Sequence, residues 1–312
     1  MRAVTFSRFG GPEVLEVKEL PEPLPGPGEV RIRVAAATVN PTDVGFRSGR
    51  QAAQLSSNMQ PPYIPGMEMA GVVDAAGPGA GWKHGDQVMA IVMPRRPAGG
   101  AMAEKVVVPS TSVAAIPEGA SLAQAATLPM NGLTVRLALD QLALKPGQFL
   151  AVTGAAGAVG GYAIQLGVAE GLRVIAVAGP KDEALVKEFG ASVFVVRGDD
   201  APKRIRQAVS GGVDGLVDAA AIGAPILPAI KEGGRLAAVR GWEGETERGI
   251  EIKQVRVAEY LQNQEALDRL GRLAGEGKLT LRVAETFPPE RTGEAQEKLS
   301  AGGVRGRLVI VF

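Results

Sequence analysis

The sequence predicts an α/β protein in which a doubly wound parallel-sheet domain is inserted into a mainly-β domain. Three observations support this prediction. Residues 1–118 contain short alternating segments separated by Gly- and Pro-rich turns, which is typical of a β domain. Residues 119–279 alternate helical stretches with nearly continuous apolar runs, the pattern of parallel strands buried on both faces. Two more strand-like segments follow in residues 280–312, and we expect them to rejoin the first domain.

The strands of the first domain are predicted from alternation. Residues 30–34 alternate apolar and polar side chains, as a half-exposed strand does, and the four prolines between residues 21 and 27 indicate an extended surface loop before it. Further strands are expected at residues 71–76, 87–92 and 104–108.

The strands of the inserted domain are predicted from short runs of Val, Leu, Ile and Ala. These runs are residues 149–153, 173–178, 193–196, 215–219 and 235–239. A helix is expected at residues 255–276, where charged and apolar side chains recur at helical spacing. Strands are expected again at residues 279–285 and 307–311.

Composition excludes several function classes. The 312 residues suggest about two domains of roughly 150 residues each. The 34 basic and 33 acidic residues form no basic stripe, so we expect no nucleic-acid partner. There is no cysteine and only one histidine, His84, which lies in a predicted turn. We therefore expect no metal site, no disulfide and no thiolate nucleophile.

One uncharged segment is long enough to resemble a membrane span. It covers 19 residues, 151–169, but four glycines lie among its first eleven residues and favour a turn there. A buried strand followed by a helix explains the segment better. The beginning of the sequence lacks an apolar stretch of signal-peptide length, so we expect a cytoplasmic protein with no membrane partner.

The turn at residues 154–161 predicts a dinucleotide site on a Rossmann domain. A buried strand leads into small residues and a helix follows, so that a diphosphate can approach the backbone N–H groups at the helix start. Gly157 is expected to admit the phosphates and Gly160 to let the helix pack on its strand. The strict motif has glycine where Ala155 stands, and a glycine turn without ligand is the alternative. Predicted contacts are Ala155, Ala156, Gly157, Ala158 and Val159.

The end of the second parallel strand predicts the choice of cofactor. An NAD site usually has a carboxylate there for the ribose 2′-hydroxyl. Here Gly179 is followed by Lys181, and Arg197 follows the third strand, so cations are available for a 2′-phosphate. These features favour NADPH, although Asp182 lies nearby and both cations could be ordinary solvated surface charges.

Several short segments occur in a consistent order along nearly the whole chain. They are residues 10–15, 40–43, 47–49, 65–73, 85–88, 132–135 and 304–309. With the glycine turn, they resemble the medium-chain dehydrogenase/reductase superfamily, and within it the zinc-free quinone oxidoreductase (zeta-crystallin-like) branch. Met67 stands where zinc-containing relatives have a ligand histidine.

The resemblance implies a fold and an activity. The fold would be a GroES-like catalytic domain of residues 1–118 and 280–312 with a Rossmann domain of residues 119–279. The activity would be hydride transfer from NADPH to a quinone or another electron-poor C=C or C=O acceptor, without zinc. Relatives are commonly dimers through an edge strand of the nucleotide domain, so a homodimer is expected, with residues 236–240 and 251–257 as candidate neighbourhoods.

The resemblance also implies site residues. Asn40 and Arg47 lie on the family's active-site segment and are candidate catalytic residues together with Tyr63, which could line the acceptor cleft. Further candidate cofactor contacts are Thr134, Val239, Arg240, Gly241 and Arg305. The alternatives are purely structural: Asn40 could serve only as a turn residue before Pro41, and Tyr63 could only pack on the neighbouring prolines.

Other features of the active-site segment leave the chemistry open. Asp43 is expected to be structural, paired with Arg47 four residues on. The family often has tyrosines at the approximate places of Gly45 and Arg197, so the proton donor is not identified and could be water. Two alternatives stand beside quinone reduction. One is reduction of enones or enoyl thioesters, and the other is NADPH binding without useful turnover, as in a sensor or structural protein.

Overall fold

The computed structural model describes residues 1–55 and 57–312, which divide into two compact units. Unit 1 comprises Met1–Met130, Ala258–Glu276 and Leu281–Phe312, and unit 2 comprises Asn131–Val257 and Gly277–Thr280. The chain therefore passes between units at residues 130, 257, 276 and 280, whereas the predicted domains change at residues 118 and 279.

The described residues form fifteen strands and eight α-helices. The strands are β1 Arg2–Thr5, β2 Glu16–Glu19, β3 Glu29–Thr38, β4 Glu68–Ala76, β5 Gln87–Ile91, β6 Lys105–Pro109, β7 Val113–Ala115, β8 Phe149–Thr153, β9 Arg173–Ala178, β10 Val193–Val196, β11 Val213–Asp218, β12 Ile230–Ala238, β13 Glu251–Gln254, β14 Val283–Phe287 and β15 Arg307–Val311. The helices are α1 Pro41–Arg47, α2 Leu122–Ala125, α3 Pro129–Leu142, α4 Ala158–Ala169, α5 Glu183–Glu188, α6 Ala201–Ala208, α7 Gln264–Gly275 and α8 Thr292–Ala301. Among the described residues, no helix is both long and apolar enough to cross a bilayer.

Unit 1 is built on a mixed sheet in the order β14-β15-β3-β4-β5-β7, with β6 pairing on β3. The neighbours from β15 to β7 are antiparallel, and β14 and β15 are parallel. The alternation that predicted a strand at residues 30–34 places Val30, Ile32 and Val34 in the core. The C-terminal strand β15 therefore lies inside this sheet, between β14 and β3.

Unit 2 contains a six-stranded parallel sheet in the order β10-β9-β8-β11-β12-β13. In chain order within this sheet, that is 3-2-1-4-5-6, the doubly wound Rossmann arrangement. The predicted α/β fold class is confirmed, and β8, β9 and β10 have the predicted bounds. The strand order reverses between β8 and β11, so the loops at their carboxyl ends flank the crevice where such sheets bind ligands.

Two predicted elements start four or more residues later in the structure than expected. The helix expected at residues 255–276 starts only at Gln264, because the side chain of Asn263 accepts the N–H of Ala266 at 3.0 Å and caps it there. The strand expected at residues 279–285 starts only at Val283. Thr280 is instead held by Gln165 of α4, with 2.7 Å from the amide nitrogen of Gln165 to the hydroxyl and 3.1 Å from the Thr280 nitrogen to the amide oxygen.

Candidate functional site

The turn between β8 and α4 is built from very small residues. Gly154 has a φ of +59°, a left-handed conformation that glycine adopts without steric cost. A Cβ atom on Gly160 would lie 2.2 Å from the carbonyl oxygen of Gly154, so only glycine lets α4 start this close to β8. The structure thus gives Gly160 the packing role that the sequence predicted.

Gly157 caps α4 and leaves space in front of the helix. Its backbone is extended, with φ −72° and ψ 178°, so the conformation itself does not require glycine. Beyond its chain neighbours, the only described atom within 4 Å of an added Cβ would be the carbonyl oxygen of Gly154, at 3.1 Å. The first N–H groups of a helix and the positive end of its dipole favour an anion, and Ala158 and Val159 form the first turn here. This turn therefore fits a diphosphate.

A buried clasp joins the carboxyl ends of β8 and β11. The hydroxyl of Thr153 donates to Oδ1 of Asp218 at 2.6 Å and accepts the N–H of Ala220 at 3.0 Å. The same carboxylate accepts the backbone N–H groups of Ile222 and Gly223, at 3.1 and 2.9 Å. The clasp fixes the loop after β11 against the strand that ends in the glycine turn, at the reversal of strand order.

The carboxyl end of β9 brings together the predicted determinants of cofactor choice. An added Cβ on Gly179 would lie 3.1 Å from Oδ2 of Asp182 and 3.9 Å from Cζ of Arg197. Arg197 and Lys181 are exposed, whereas Asp182 is buried. The backbone N–H of Arg197 donates to the carbonyl of Ala178 at 2.7 Å. A cation and a carboxylate therefore flank the same glycine.

The other predicted cofactor contacts lie at separate places. Val239, Arg240 and Gly241 directly follow β12, with Arg240 and Gly241 exposed. Thr134 is buried on α3. All four belong to unit 2, whereas the predicted contact Arg305 is an exposed residue of unit 1, just before β15.

A buried ionic network surrounds Asn40 in unit 1. The guanidinium of Arg307 on β15 forms a salt bridge with Glu68 and donates to Oδ1 of Asn40 at 2.7 Å. The hydroxyl of Thr38 also donates to Glu68, whose Oε2 accepts the N–H of Met130 at 2.7 Å. Asn40 is only 1% exposed. In this structure its amide oxygen therefore accepts a hydrogen bond from a buried arginine.

Asp43 is a buried carboxyl group bound to backbone N–H groups. It accepts the N–H of Asn40 and the N–H of Gly66, both at 2.8 Å. Burial raises the pKa of Asp43 to about 7, against the lowering effect of those two amides and of Arg307. The predicted pairing of Asp43 with Arg47 is wrong, because the N-terminus of α1 and the Gly66 turn take both carboxylate oxygens.

Arg47 and Tyr63 lie in two different settings. The Nε of Arg47 donates to Gln296 of α8 and its Nη1 to the carbonyl of Gly10, both at 2.7 Å, and its side chain is buried. Tyr63 is half-buried and stacks on Phe9, with ring centroids 6.0 Å apart and planes 6° apart. The structure thus shows a connecting role for Arg47 within unit 1, and an aromatic cluster around Tyr63.

Glu68 was expected from the sequence as a possible buried, paired carboxylate, but its partner Arg307 was not, and neither were Asp218 and Asn131. Arg307 and Glu68 pair across 239 positions of the chain, which no local pattern indicates. Asp218, in contrast, was detectable in principle, because an acidic residue directly follows the uncharged residues 215–217 at the end of a buried strand. Asn131, at the start of unit 2, is 3% exposed, and the structure shows no hydrogen-bond partner for its Nδ2 among the described residues.

Comparisons with known sequences match both parts of the chain. The alcohol dehydrogenase GroES-like domain model matches residues 26–118, and the zinc-binding dehydrogenase model matches residues 189–310. The chain is 30% identical to the quinone oxidoreductase of Sus scrofa over 335 aligned positions, which cover 100% of this chain and 98% of that protein. Among the described residues, no group of three His, Asp or Glu side chains is placed to hold a metal ion.

Solved structures are similar over the full length. A protein described as an NAD-dependent alcohol dehydrogenase superposes with a TM-score of 0.88 at 32% identity, covering 100% of both chains. A mycobacterial protein solved in complex with NADPH superposes with a TM-score of 0.86 at 26% identity, again covering 100% of both chains. The similarity thus includes proteins described with either nicotinamide cofactor.

Proposed function

Because the chain belongs to the medium-chain dehydrogenase/reductase superfamily, among proteins similar to quinone oxidoreductases, we propose that it is an NADPH-dependent, zinc-independent reductase of quinones or of other electron-poor C=C or C=O acceptors. The open, glycine-capped N-terminus of α4 carries this proposal. It lies at the carboxyl end of the first strand of a doubly wound sheet, where such folds bind dinucleotides.

The residues of the turn suit a dinucleotide diphosphate. Gly157 leaves room in front of α4, while Ala155, Ala156, Ala158 and Val159 offer backbone groups with short side chains. When bound, NADPH supplies a hydride and so reduces a quinone, together with one proton from the medium, to a hydroquinone. The chain's own task is then to bind, to orient and to exclude competing water.

The proposed preference for NADPH rests on cations near Gly179. The guanidinium of Arg197 is close to this glycine, and Lys181 follows two residues later. A 2′-phosphate on the adenosine ribose would be paired by these cations. Asp182 beside the same glycine is the feature that favours NADH, whose 2′-hydroxyl donates well to a carboxylate.

Further contacts are proposed from the resemblance. Thr134, Val239, Arg240 and Gly241 would border the nicotinamide half of the cofactor, and Arg305 would supply a cation from unit 1. The loop after β11 is held by Asp218, which we propose to be a positioning residue for the same half. We also propose a homodimer that is located in the cytoplasm.

The acceptor end of the site has candidate groups but no general acid that stands out. Asn40 and Arg47 remain candidates from the resemblance, but both donate or accept inside unit 1, so a catalytic role would require these bonds to be exchanged. Tyr63 has a half-buried phenol next to Phe9 and is the more accessible of the three. Gly45 offers no hydroxyl, so we propose that the one proton required besides the hydride comes from water.

Steady-state oxidation of NADPH, followed at the nicotinamide absorbance band, tests the proposal. The panel consists of a naphthoquinone, phenanthrenequinone, an alkyl enone and a crotonyl thioester, each with NADPH and with NADH. We expect turnover with quinones and a preference for NADPH. Turnover with enones alone would indicate an alkene reductase. Tight NADPH binding without oxidation by any acceptor would contradict an enzymatic function.

A further inference from the structure

Two segments of unit 1 carry arginines and no acidic residue, and they contain the loops at residues 47–59 and 93–101 that we expect from the sequence to form walls of the acceptor pocket. Residues 44–67 contain Arg47 and Arg50, and residues 87–103 contain Arg95 and Arg96, but neither segment contains Asp or Glu. In a chain with nearly equal numbers of acidic and basic residues, this is a local excess of positive charge. Such an excess favours an anionic ligand over a neutral one.

Among these arginines, Arg47 and Arg96 already form hydrogen bonds within unit 1. Arg47 is bound to Gln296 and Gly10, as described above. Arg96 donates from Nε to the carbonyl of Gly99 at 2.8 Å and from Nη2 to the carbonyl of Val107 at 2.7 Å. These bonds fix the loop between β5 and β6 to β6, which gives Arg96 a structural role.

Arg95 differs because most of its donors are unused. Its Nη1 donates to Oε1 of Gln51 at 2.5 Å, and it forms no ion pair with any residue that the structure describes. A guanidinium has five N–H donors, so one neutral amide leaves most of them available. The side chain is half-buried, and this desolvation lowers the pKa of Arg95, with no carboxylate nearby to oppose the effect. A partly desolvated, unpaired cation gains more from an incoming anion than a solvated one does.

Gln51 places this cation beside the segment expected to contact the acceptor. An added Cβ on Gly45 of α1 would lie 3.4 Å from Nε2 and 3.5 Å from Cδ of Gln51. The amide of Gln51 therefore occupies the space next to Gly45, where relatives often have a tyrosine. A neutral amide orients the guanidinium without cancelling its charge, which a glutamate at the same place would do.

We propose that Arg95, oriented by Gln51, binds an anionic substituent of the acceptor, so that the preferred substrates are electron-poor quinones or enones that carry a carboxylate, sulfonate or phosphate group. This inference rests on the proposed function and specifies its substrate class. Arg95 is the specificity-determining residue, and Gln51 is a positioning residue that acts through it.

Paired acceptors test the proposal. The first pair is 1,2-naphthoquinone and its 4-sulfonate, and the second is pent-3-en-2-one and 4-oxopent-2-enoate. For each pair, the ratio of kcat/KM for the anionic to the neutral acceptor is measured with NADPH. We expect a ratio above one in the unaltered protein and a decrease of about tenfold or more in Arg95→Gln, through KM, because a charge-assisted hydrogen bond is lost.

Three further variants separate specificity from general electrostatics. Gln51→Glu keeps the size of the side chain and supplies Arg95 with a carboxylate, so the ratio should fall although the arginine is present. Arg33→Gln removes an exposed arginine of β3 and should leave the ratio unchanged. Arg95→Lys, which keeps the charge, should restore part of the ratio.

The outcomes distinguish the two proposals. Two outcomes would overturn the inference and leave the reductase function intact. In the first, the neutral acceptors are reduced and the ratio of kcat/KM for the anionic to the neutral acceptor is one or less. In the second, Arg95→Gln and Arg33→Gln change this ratio equally. If no acceptor is reduced, the reductase function fails. The inference is then judged by calorimetric titration with the two naphthoquinones, and equal affinities for them would overturn it.

Discussion

Replacing Gly157 by valine should remove dinucleotide binding while leaving the fold in place. The backbone at Gly157 is extended, and an added Cβ would meet only the carbonyl oxygen of Gly154, at 3.1 Å, among the described atoms beyond its chain neighbours. The cost to folding is therefore that of a poor helix cap, about 1 kcal/mol. The branched side chain, however, fills the space where a diphosphate would contact the first turn of α4. Losing two charge-assisted hydrogen bonds of about 1.5 kcal/mol each weakens binding about 150-fold.

Isothermal titration calorimetry with NADPH and NADH measures the affinity, and thermal unfolding by circular dichroism measures the fold. Gly26→Val is a matched control in unit 1, because a Cβ there would approach only the flexible carboxylate of Glu29, at 3.3 Å. It should bind both nucleotides as the unaltered chain does. A Gly157→Val protein that is folded and retains its nucleotide affinity would refute the assignment of the diphosphate to this turn.

Three further predictions concern buried carboxylates, each measured by urea denaturation. The pKa of Asp43 in the folded state, about 7, is above its unfolded value, so its contribution to stability is fully present below pH 4 and is lost as the pH rises towards 7. Asp43→Asn should flatten the dependence of the free energy of unfolding on pH, which amounts to at most about 4 kcal/mol. An unchanged pH dependence would contradict a raised pKa of Asp43. Glu68→Gln leaves the buried cation of Arg307 without a carboxylate and should lower the free energy of unfolding by about 3–5 kcal/mol, whereas adding Arg307→Met should recover more than half of the loss. No recovery would show that the loss does not come from the unpaired charge of Arg307. Asp218→Asn should lower the free energy of unfolding by about 1–3 kcal/mol and weaken NADPH binding, since the loop after β11 loses a hydrogen-bond acceptor. A less stable protein with full affinity for NADPH would show that this loop does not contact the cofactor.

Much of the fold was predictable because parallel strands that are buried on both faces appear in the sequence as nearly continuous apolar runs. The apolar runs at β8 and β10 gave the strand bounds directly, since their neighbours in the chain are polar or glycine. The strands β1, β2 and β7 are only three or four residues long and depend on partners elsewhere in the chain, so local pattern did not indicate them.

The start of α7 shows the limit of periodicity alone. The 3.6-residue pattern continues from residue 255, but the side chain of Asn263 caps the helix and ends the preceding turn. A capping residue competes with helix formation before it. The first residue of α7 therefore depends on one hydrogen bond rather than on the average periodicity of a stretch of sequence.

The two proposed sites differ in how much of them sequence could predict. The glycine turn is local, and the roles of Gly157 and Gly160 follow from the close approach of backbone atoms within seven residues. The contacts of Arg95 with Gln51 and of Arg307 with Glu68 join residues 44 and 239 positions apart. Such pairs depend on how distant segments of unit 1 are brought together, which local residue patterns do not specify.

The position of β15 inside the sheet sets the order in which the protein can be completed during synthesis. Residues 131–257, which supply every strand of the parallel sheet, leave the ribosome as one continuous stretch and can fold together. The sheet of unit 1 must wait for residues 307–311, which fill the gap between β14 and β3. Until then residues 36–38 of β3 lack their pairing with β15, and Glu68 lacks its arginine. A premature stop before residue 307 would therefore damage the unit made first along the chain more than the one made second.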